Sequence, residues 1–299
     1  MAAMAHIYKR NDSIQTKFSK AALWQKGAAI RTKVRMNSTW NAVADCAKVQ
    51  RWGDVEPATI TLKQLKGYVT YRIAQGISAR SIQNEMSHIR RSLEGAGRTD
   101  FTPETCPNSK LGVPSGTRIG VGKVVDPEVL RYALQRALPD TKALIELSRF
   151  LGLRELEAVM SVSSLNKWER DLAEGQPIIV RDGTKGGRAR SVVVAPEGLD
   201  NALAAVRAAQ AVLQKQGYLV VSKSLKAALE QHSDRLAKLG LKGENSCHSL
   251  RRAFAMDQYK HYLAEGCSEK IALSRTSNDL GHGDGRGRWV FNNYIKNSL

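Results

Sequence analysis

The sequence predicts a mainly α-helical protein with a small antiparallel β-sheet, arranged as an all-helical N-terminal domain followed by an α+β domain. Three observations carry that expectation. Apolar residues recur at helical spacing through most of the 299 residues. One short interval, residues 178–194, replaces that spacing with two runs of β-branched residues around a Gly-rich turn. Between Gly95 and Gly122 the periodicity gives way to Gly, Pro, Ser and Thr, the composition of a linker. The length gives a prior of roughly two domains, and this break, centred between Leu111 and Val121, divides the chain into residues 1–115 and 116–299.

The first domain reads as a series of punctuated helices. Two are expected at residues 19–34 and 39–51, with Trp24, Trp40 and Trp52 in or beside them. Thr61 then caps a helix whose stripe is Leu62, Leu65, Val69 and Ile73, stopped by Gly76. Ser78 opens the next, with Ile82, Met86, Ile89 and Leu93 facing inward, Arg80, Arg90 and Arg91 on other faces, and Gly95 as its end.

The second domain begins with Asp126-Pro127, a cap followed by a proline suited to the first helical position. Asp140 is expected to open a further helix ending near Gly152. Strands follow at residues 178–180 and 191–194, joined through Asp182-Gly183-Thr184-Lys185-Gly186-Gly187. Helices then resume, with stripes of Leu199, Leu203, Val206 and Leu213 and of Leu225, Leu229, Leu236 and Leu239.

Lys and Arg number 46 against 28 Asp and Glu, a formal charge of +18 that exceeds what solubility requires and implies a polyanionic partner. Residues 1–110 hold 18 basic and 8 acidic side chains, so the excess extends over both domains. The four cysteines, Cys46, Cys106, Cys247 and Cys267, form no C-x-x-C pair, which argues against a disulfide framework or zinc knuckle and fits a reducing compartment. With no signal-like stretch at the N-terminus and no apolar run of membrane-spanning length, a cytoplasmic protein without a membrane partner is expected.

Several short motifs carry chemistry. Gly152-Leu153-Arg154, Thr184-Lys185-Gly186, His248-Ser249-Leu250-Arg251, Leu280-Gly281-His282 and the late Tyr294 supply cationic clamps, proton carriers and a nucleophile, the set that phosphodiester chemistry needs. Taken singly, each residue is more readily a solvated arginine, a turn lysine, a capping histidine or a core tyrosine, because short motifs match by chance. Their order and setting weigh together.

The set resembles the tyrosine recombinase family, the phage integrases and their relatives. The first arginine motif is Phe150-Leu151-Gly152-Leu153-Arg154-Glu155-Leu156-Glu157, the hairpin lysine is Lys185, and the second box is His248 to Arg251, then His282, then Tyr294. The run from Gly76 to Arg91 is similar to that family's core-binding, SAM-like helical domain. The resemblance implies a core-binding domain and a catalytic domain that close as a clamp around double-stranded DNA. It also implies that Tyr294 attacks the scissile phosphorus, Arg154 and Arg251 hold its oxygens, Lys185 protonates the departing 5′ oxygen, and His248 and His282 share proton handling.

A phenol of pKa ~10 is only about 0.1% ionised at pH 7, and neighbouring cations favour the phenolate. Arg80, Arg90, Arg91 and Arg188 are the candidate DNA contacts. The family chemistry needs no cofactor, ATP or metal, works in homo-oligomers on DNA, tetrameric in synapsis, and leaves room for accessory DNA-bending proteins. A bacterial or phage-encoded protein of the cytoplasm and nucleoid is implied. The interval from His282 to Tyr294 is a few residues longer than the family's, which leaves open whether Tyr294 serves its own chain's site or a neighbour's.

The rival enzyme is a type IB topoisomerase, which shares the chemistry but reseals the same strand. The rival from another class is a non-catalytic architectural or regulatory DNA-binding protein retaining the fold. Gly116 to Lys123 fails as a Walker loop, since Thr117 stands where glycine is needed and Val124 follows the lysine. Gly283, Gly285 and Gly287 lack the preceding strand of a dinucleotide loop, and Cys247, His248, Cys267 and His282 match no zinc spacing.

Overall fold

The computed structural model describes residues 7–23, 30–116 and 122–299. The chain divides into two compact units, Met1–Arg118 and Ile119–Leu299. It is mainly helical, and the sheet among the described residues is one antiparallel pair. No described helix is long and apolar enough to cross a membrane.

The first unit is built from α1 (Ile14–Leu23), α2 (Ile30–Val49), α3 (Leu62–Ala74) and α4 (Ala79–Gly95). The helices expected at 19–34 and 39–51 are therefore redrawn, with α2 running unbroken through Val34 to Thr39. Trp24 lies outside the described residues, whereas Trp40 is buried against Phe18. Thr61 forms a full capping box with Gln64, meeting two backbone donors at the start of α3, and Ser78 caps α4 through the Ser81 amide, meeting one, so both helices start where the sequence indicated. Ile82, Met86, Ile89 and Leu93 are fully buried, but Ile73 is 45% exposed at the last turn of α3.

Two expectations in this unit are corrected together. Gly95 does not stop α4 through its own conformation; it lies against the Ala21 backbone, where a side chain would collide, and the left-handed residue that ends the helix is Gly97 at φ +79°. Nor is the following stretch a linker as far as Val113, because Phe101, Cys106, Leu111 and Val113 are buried in the same core as α1 to α4. The Arg90 guanidinium fastens it, donating to Phe101 O at 3.0 Å, Cys106 O at 2.8 Å and Asn108 Oδ1 at 2.8 Å.

The second unit opens with α5 (Pro127–Arg136), capped by Asp126 as expected, and α6 (Pro139–Phe150), which starts at Pro139 rather than Asp140. Then come the single turn α7 (Glu155–Val159), α8 (Leu165–Ala173), β1 (Ile178–Val180), β2 (Arg190–Val192), α9 (Pro196–Gln216), α10 (Leu225–Lys238), α11 (Cys247–Ala264), α12 (Glu269–Asp279) and α13 (Gly287–Val290). The strands pair Ile178 with Val192 and Val180 with Arg190. β2 ends earlier than residues 193–194 because side chains take over the Val193 backbone: its N–H donates to Asp279 Oδ1 at 3.3 Å and its carbonyl accepts from Gln258 Nε2 at 2.8 Å. A core of Leu144, Leu147, Leu151, Trp168, Val192, Val206, Phe254 and Tyr294 joins α6, α8, the hairpin, α9 and α11 to the C-terminal turns.

Candidate active site

The site is assembled at helix ends. Gly152, at φ +58° and packed close against the Phe254 ring, turns the chain out of α6 so that Arg154 sits at the start of α7. There the Arg154 N–H donates to Glu157 Oε2 at 2.8 Å, and its guanidinium reaches Glu157 Oε1 at 2.5 Å and Leu280 O at 3.3 Å. His248 and Arg251, three residues apart on the first turn of α11, face the same way. Arg251 is fully buried and donates to Gly152 O and to Leu280 O. Its Nε is buried with no hydrogen-bond partner among the described residues.

Tyr294 enters from the C-terminal end on a π-helical turn, Phe291–Ile295, tied to α11 by the bond from Arg252 Nε to Asn293 O at 3.2 Å. Wide turns of this kind recur at functional sites. The phenol is 2% exposed, its hydroxyl 3.3 Å from His282 Nε2, and its ring 5.2 Å from the His248 ring and 5.8 Å from the Trp289 indole. His282 is itself in contact with Trp289, ring centres 4.5 Å apart.

Electrostatics follow from this crowding of positive charge. Burial opposes the Glu157 carboxylate, but Arg190, then Arg251 and Arg154, outweigh it and hold the carboxyl down to about 2. Burial, then Arg251, Arg154 and Arg190, push the His282 imidazole down to about 3. His248 keeps an exposed edge and is also lowered, first by desolvation and then by Arg252, Arg251 and Arg154. Arg251 falls only to about 10, through burial and then Arg190, and stays charged at neutral pH. Near pH 7 the site therefore holds charged arginines and neutral histidines, clamps for an anion beside proton acceptors.

Family models match both units: "Integrase" over residues 113–257, which includes Arg154, Lys185, His248 and Arg251, and "Phage integrase, N-terminal" over residues 54–102. The chain belongs to the phage integrase family of tyrosine recombinases. No curated protein matches it in sequence. Solved structures share the fold at low identity. The Tn1549 transposon integrase, in complex with transposon right-end DNA, is 13% identical with a TM-score of 0.59, covering 94% of each chain. A lambda integrase tetramer bound to a Holliday junction is 17% identical with a TM-score of 0.57, covering 97% of this chain and 80% of its own. A lambda integrase dimer on a COC′ core site is likewise 17% identical, with a TM-score of 0.57, covering 95% and 77%.

Of the expected site residues in this integrase, Arg154, His248, Arg251, His282 and Tyr294 gather in one place. Lys185 does not join them: it is exposed on the connection between β1 and β2, and its ammonium makes no hydrogen bond or ion pair among the described residues. Arg188 and Arg80 are likewise exposed, and Arg91 is half-buried. Arg90 is corrected from DNA contact to internal tie, since each nitrogen of its guanidinium already donates within the first unit.

Sequence reasoning passed over Arg190, which is 7% exposed and bonded to Glu157 Oε2 at 2.8 Å, Gly152 O at 3.1 Å and Asp279 O at 2.5 Å. It also gave no role to Glu157 or Asp279. The signal was an arginine at an inward position of a strand, which a buried carboxylate must accompany.

Proposed function

We propose that this integrase cleaves and rejoins DNA strands through a 3′-phosphotyrosyl intermediate, so as to integrate or excise a DNA element. The observation that carries the reading is the 3.3 Å approach of the Tyr294 hydroxyl to His282 Nε2 beside the buried, charged Arg251. Arg154 and Arg251 clamp the non-bridging oxygens of the scissile phosphate, and guanidinium suits that task because it stays charged and bonds phosphate through paired donors. Tyr294 Oη attacks phosphorus and gives its proton to a histidine, with His282 nearest. The bond from phosphorus to the 5′ oxygen breaks, and Lys185, carried on the hairpin, protonates that oxygen. The phosphotyrosyl bond conserves the energy of the broken phosphodiester, so attack by another 5′ hydroxyl rejoins the strand without ATP or metal.

Residues 1–115 are assigned to DNA binding through the helical domain and residues 116–299 to catalysis. The charge of +18, spread along the chain, supports a DNA partner. Structures of the same fold are DNA complexes, one of them a tetramer on a Holliday junction. Exchange between two duplexes cuts four strands, so we assign a homotetramer on DNA, open to accessory bending proteins and working in the cytoplasm.

The test is incubation with nicked duplexes that trap the cleaved state, followed by denaturing electrophoresis. Wild-type protein should form a covalent DNA adduct, and Tyr294→Phe should bind DNA and form none. An adduct undiminished in Tyr294→Phe removes the assignment. Intermolecular strand exchange, rather than relaxation of supercoils alone, is the expected product.

A further inference from the structure

Arg190 lies where several strands of the site's architecture meet. From an inward position on β2 it spans to the Arg154 motif through Glu157 and Gly152 O, and to the segment preceding His282 through Asp279 O. Its stem packs over Gly281, at φ +66°, where any side chain would collide with it. β2 is also the strand that leads back, five residues earlier, to Lys185. The backbone near Asp279 is fixed in turn, because the Asp279 carboxylate accepts from Tyr262 Oη at 2.8 Å, Gln258 Nε2 at 3.1 Å and Val193 N.

Among the described residues, the Glu157 carboxylate is the one that ion-pairs with Arg154, Arg190 and Arg251 alike, and its two oxygens are unequally shared. Oε1 faces Arg154 at 2.5 Å; Oε2 faces Arg190 at 2.8 Å and stands 3.7 Å from Arg251. Arg251 thus bonds Gly152 O and Leu280 O, neutral acceptors that an anion can replace, rather than a carboxylate that it cannot easily leave. Without Arg190, Oε2 would keep only the Arg154 N–H, and Arg251, 3.7 Å away, would face a carboxylate oxygen that has lost its guanidinium partner.

We propose that Arg190 is a positioning residue of strand cleavage: by occupying Glu157 Oε2 it keeps Arg251 uncaptured and available to the scissile phosphate. The proposal rests on the function assigned above. Arg154, Arg190 and Arg251 against Glu157 leave the site two positive charges. Replacing Arg190 by methionine leaves one and frees Oε2 for Arg251. Replacing Glu157 by glutamine in the same chain restores two and removes the competing carboxylate, while the Gln side-chain oxygen still accepts from the Arg154 N–H.

The experiment measures the rate of adduct formation on nicked DNA, together with DNA affinity, for wild type, Arg190→Met, Glu157→Gln and the double variant, each checked for folding by circular dichroism. Arg190→Met should slow the adduct on the order of 10²-fold, the scale of losing one preorganised cation, with affinity changed by no more than about threefold. The double variant should regain at least about tenfold of that loss, a coupling that packing alone would not produce. A double variant as slow as Arg190→Met, or slower, overturns the proposal.

Should Arg190→Met fail to fold, Arg190→Lys carries the test. Lysine keeps a cation at Oε2 but cannot bridge both carbonyls, so adduct formation should stay within about tenfold of wild type. A loss beyond about 10²-fold at unchanged affinity overturns the proposal as well. Wild-type protein that forms no adduct sinks the assigned function and this inference with it, whereas a wild-type adduct with failed rescue sinks this inference alone.

Discussion

Tyr294 Oη and His282 Nε2 stand 3.3 Å apart within one chain, although four residues from Gly283 to Arg286, two of them glycine, separate His282 from the turns that bring the tyrosine back. The longer interval is absorbed as a loop, with Ser274 Oγ and Asn278 Nδ2 both donating to Asp284 Oδ1 at its near end. Cleavage in cis is the expected consequence. Mixing Tyr294→Phe with Arg251→Ala should yield no DNA adduct, because neither chain holds a complete site. An adduct on the Arg251→Ala chain at a sizeable fraction of the wild-type yield would mean that tyrosines cross between subunits.

Arg154→Ala and Arg251→Ala should each slow adduct formation by on the order of 10²-fold or more while weakening DNA affinity by less than about tenfold, since many other cations hold the duplex. Single-turnover cleavage alongside equilibrium binding separates the two effects. Equal losses in both would recast these arginines as ordinary phosphate contacts.

Acid should destabilise the fold through its buried histidines. His232 is 2% exposed, and burial, then the Arg235 charge, push its imidazole from 6.5 down to about 4. Its folded value lies below its unfolded one, so the unfolded chain binds the extra proton. The contribution is fully present above about pH 6.5 and is lost as the pH falls toward 4, with a slope of up to about 1.4 kcal/mol per pH unit. Asp279 and Glu146, raised by burial, act in the opposite sense, so the comparison that isolates the histidine is His232→Gln. Urea midpoints between pH 7 and 4.5 should fall less steeply in that variant; identical slopes would show that His232 takes no part.

Arg90→Ala should cost at least about 2 kcal/mol of stability, because it strips charged hydrogen bonds from half-buried backbone carbonyls. The salt dependence of DNA binding should stay unchanged. Arg80→Ala and Arg188→Ala should do the reverse, each lowering the slope of log K against log salt by up to about one unit with little change in melting temperature.

Gly152→Ala should lower stability by at least about 2 kcal/mol, since alanine must adopt φ +58° and its methyl would run into the Phe254 ring. Adduct formation should drop as well, because Gly152 O receives both Arg251 and Arg190. Since about 2 kcal/mol should move the melting temperature of a domain this size by roughly 4 °C or more, an unchanged melt would contradict the strain.

Much of this was legible in the sequence because it is local. Thr61 with Gln64, Ser78 and Asp126 with Pro127 announce helix starts within four residues of chain, and the Ile82 to Leu93 stripe announces a buried face. The site residues were legible as types in order. What escaped was long-range pairing. Arg190 meets Glu157 across 33 residues and Asp279 across 89, and no periodicity marks such a meeting. The same holds for residues 96–113, whose few apolar side chains are too sparse to show a pattern yet are drawn into the core by Arg90. Strand length was misjudged at Val193 because Asp279 and Gln258, distant in sequence, claim its backbone.

The peptide oxygens of Gly152 and Leu280, on which Arg251 rests, bear on turnover as well as on binding. They are modest acceptors, and an entering phosphodiester, with one negative charge, exchanges for them at small net gain. In the proposed reaction, as the phosphorus becomes five-coordinate and its oxygens gain charge, the gain would grow, so the guanidinium would grip hardest at the summit and relax on either side. On that proposal, a cation parked on amide dipoles rather than on a carboxylate would release each joined strand as readily as it took hold of the cut one, which a reversible exchange of partners requires.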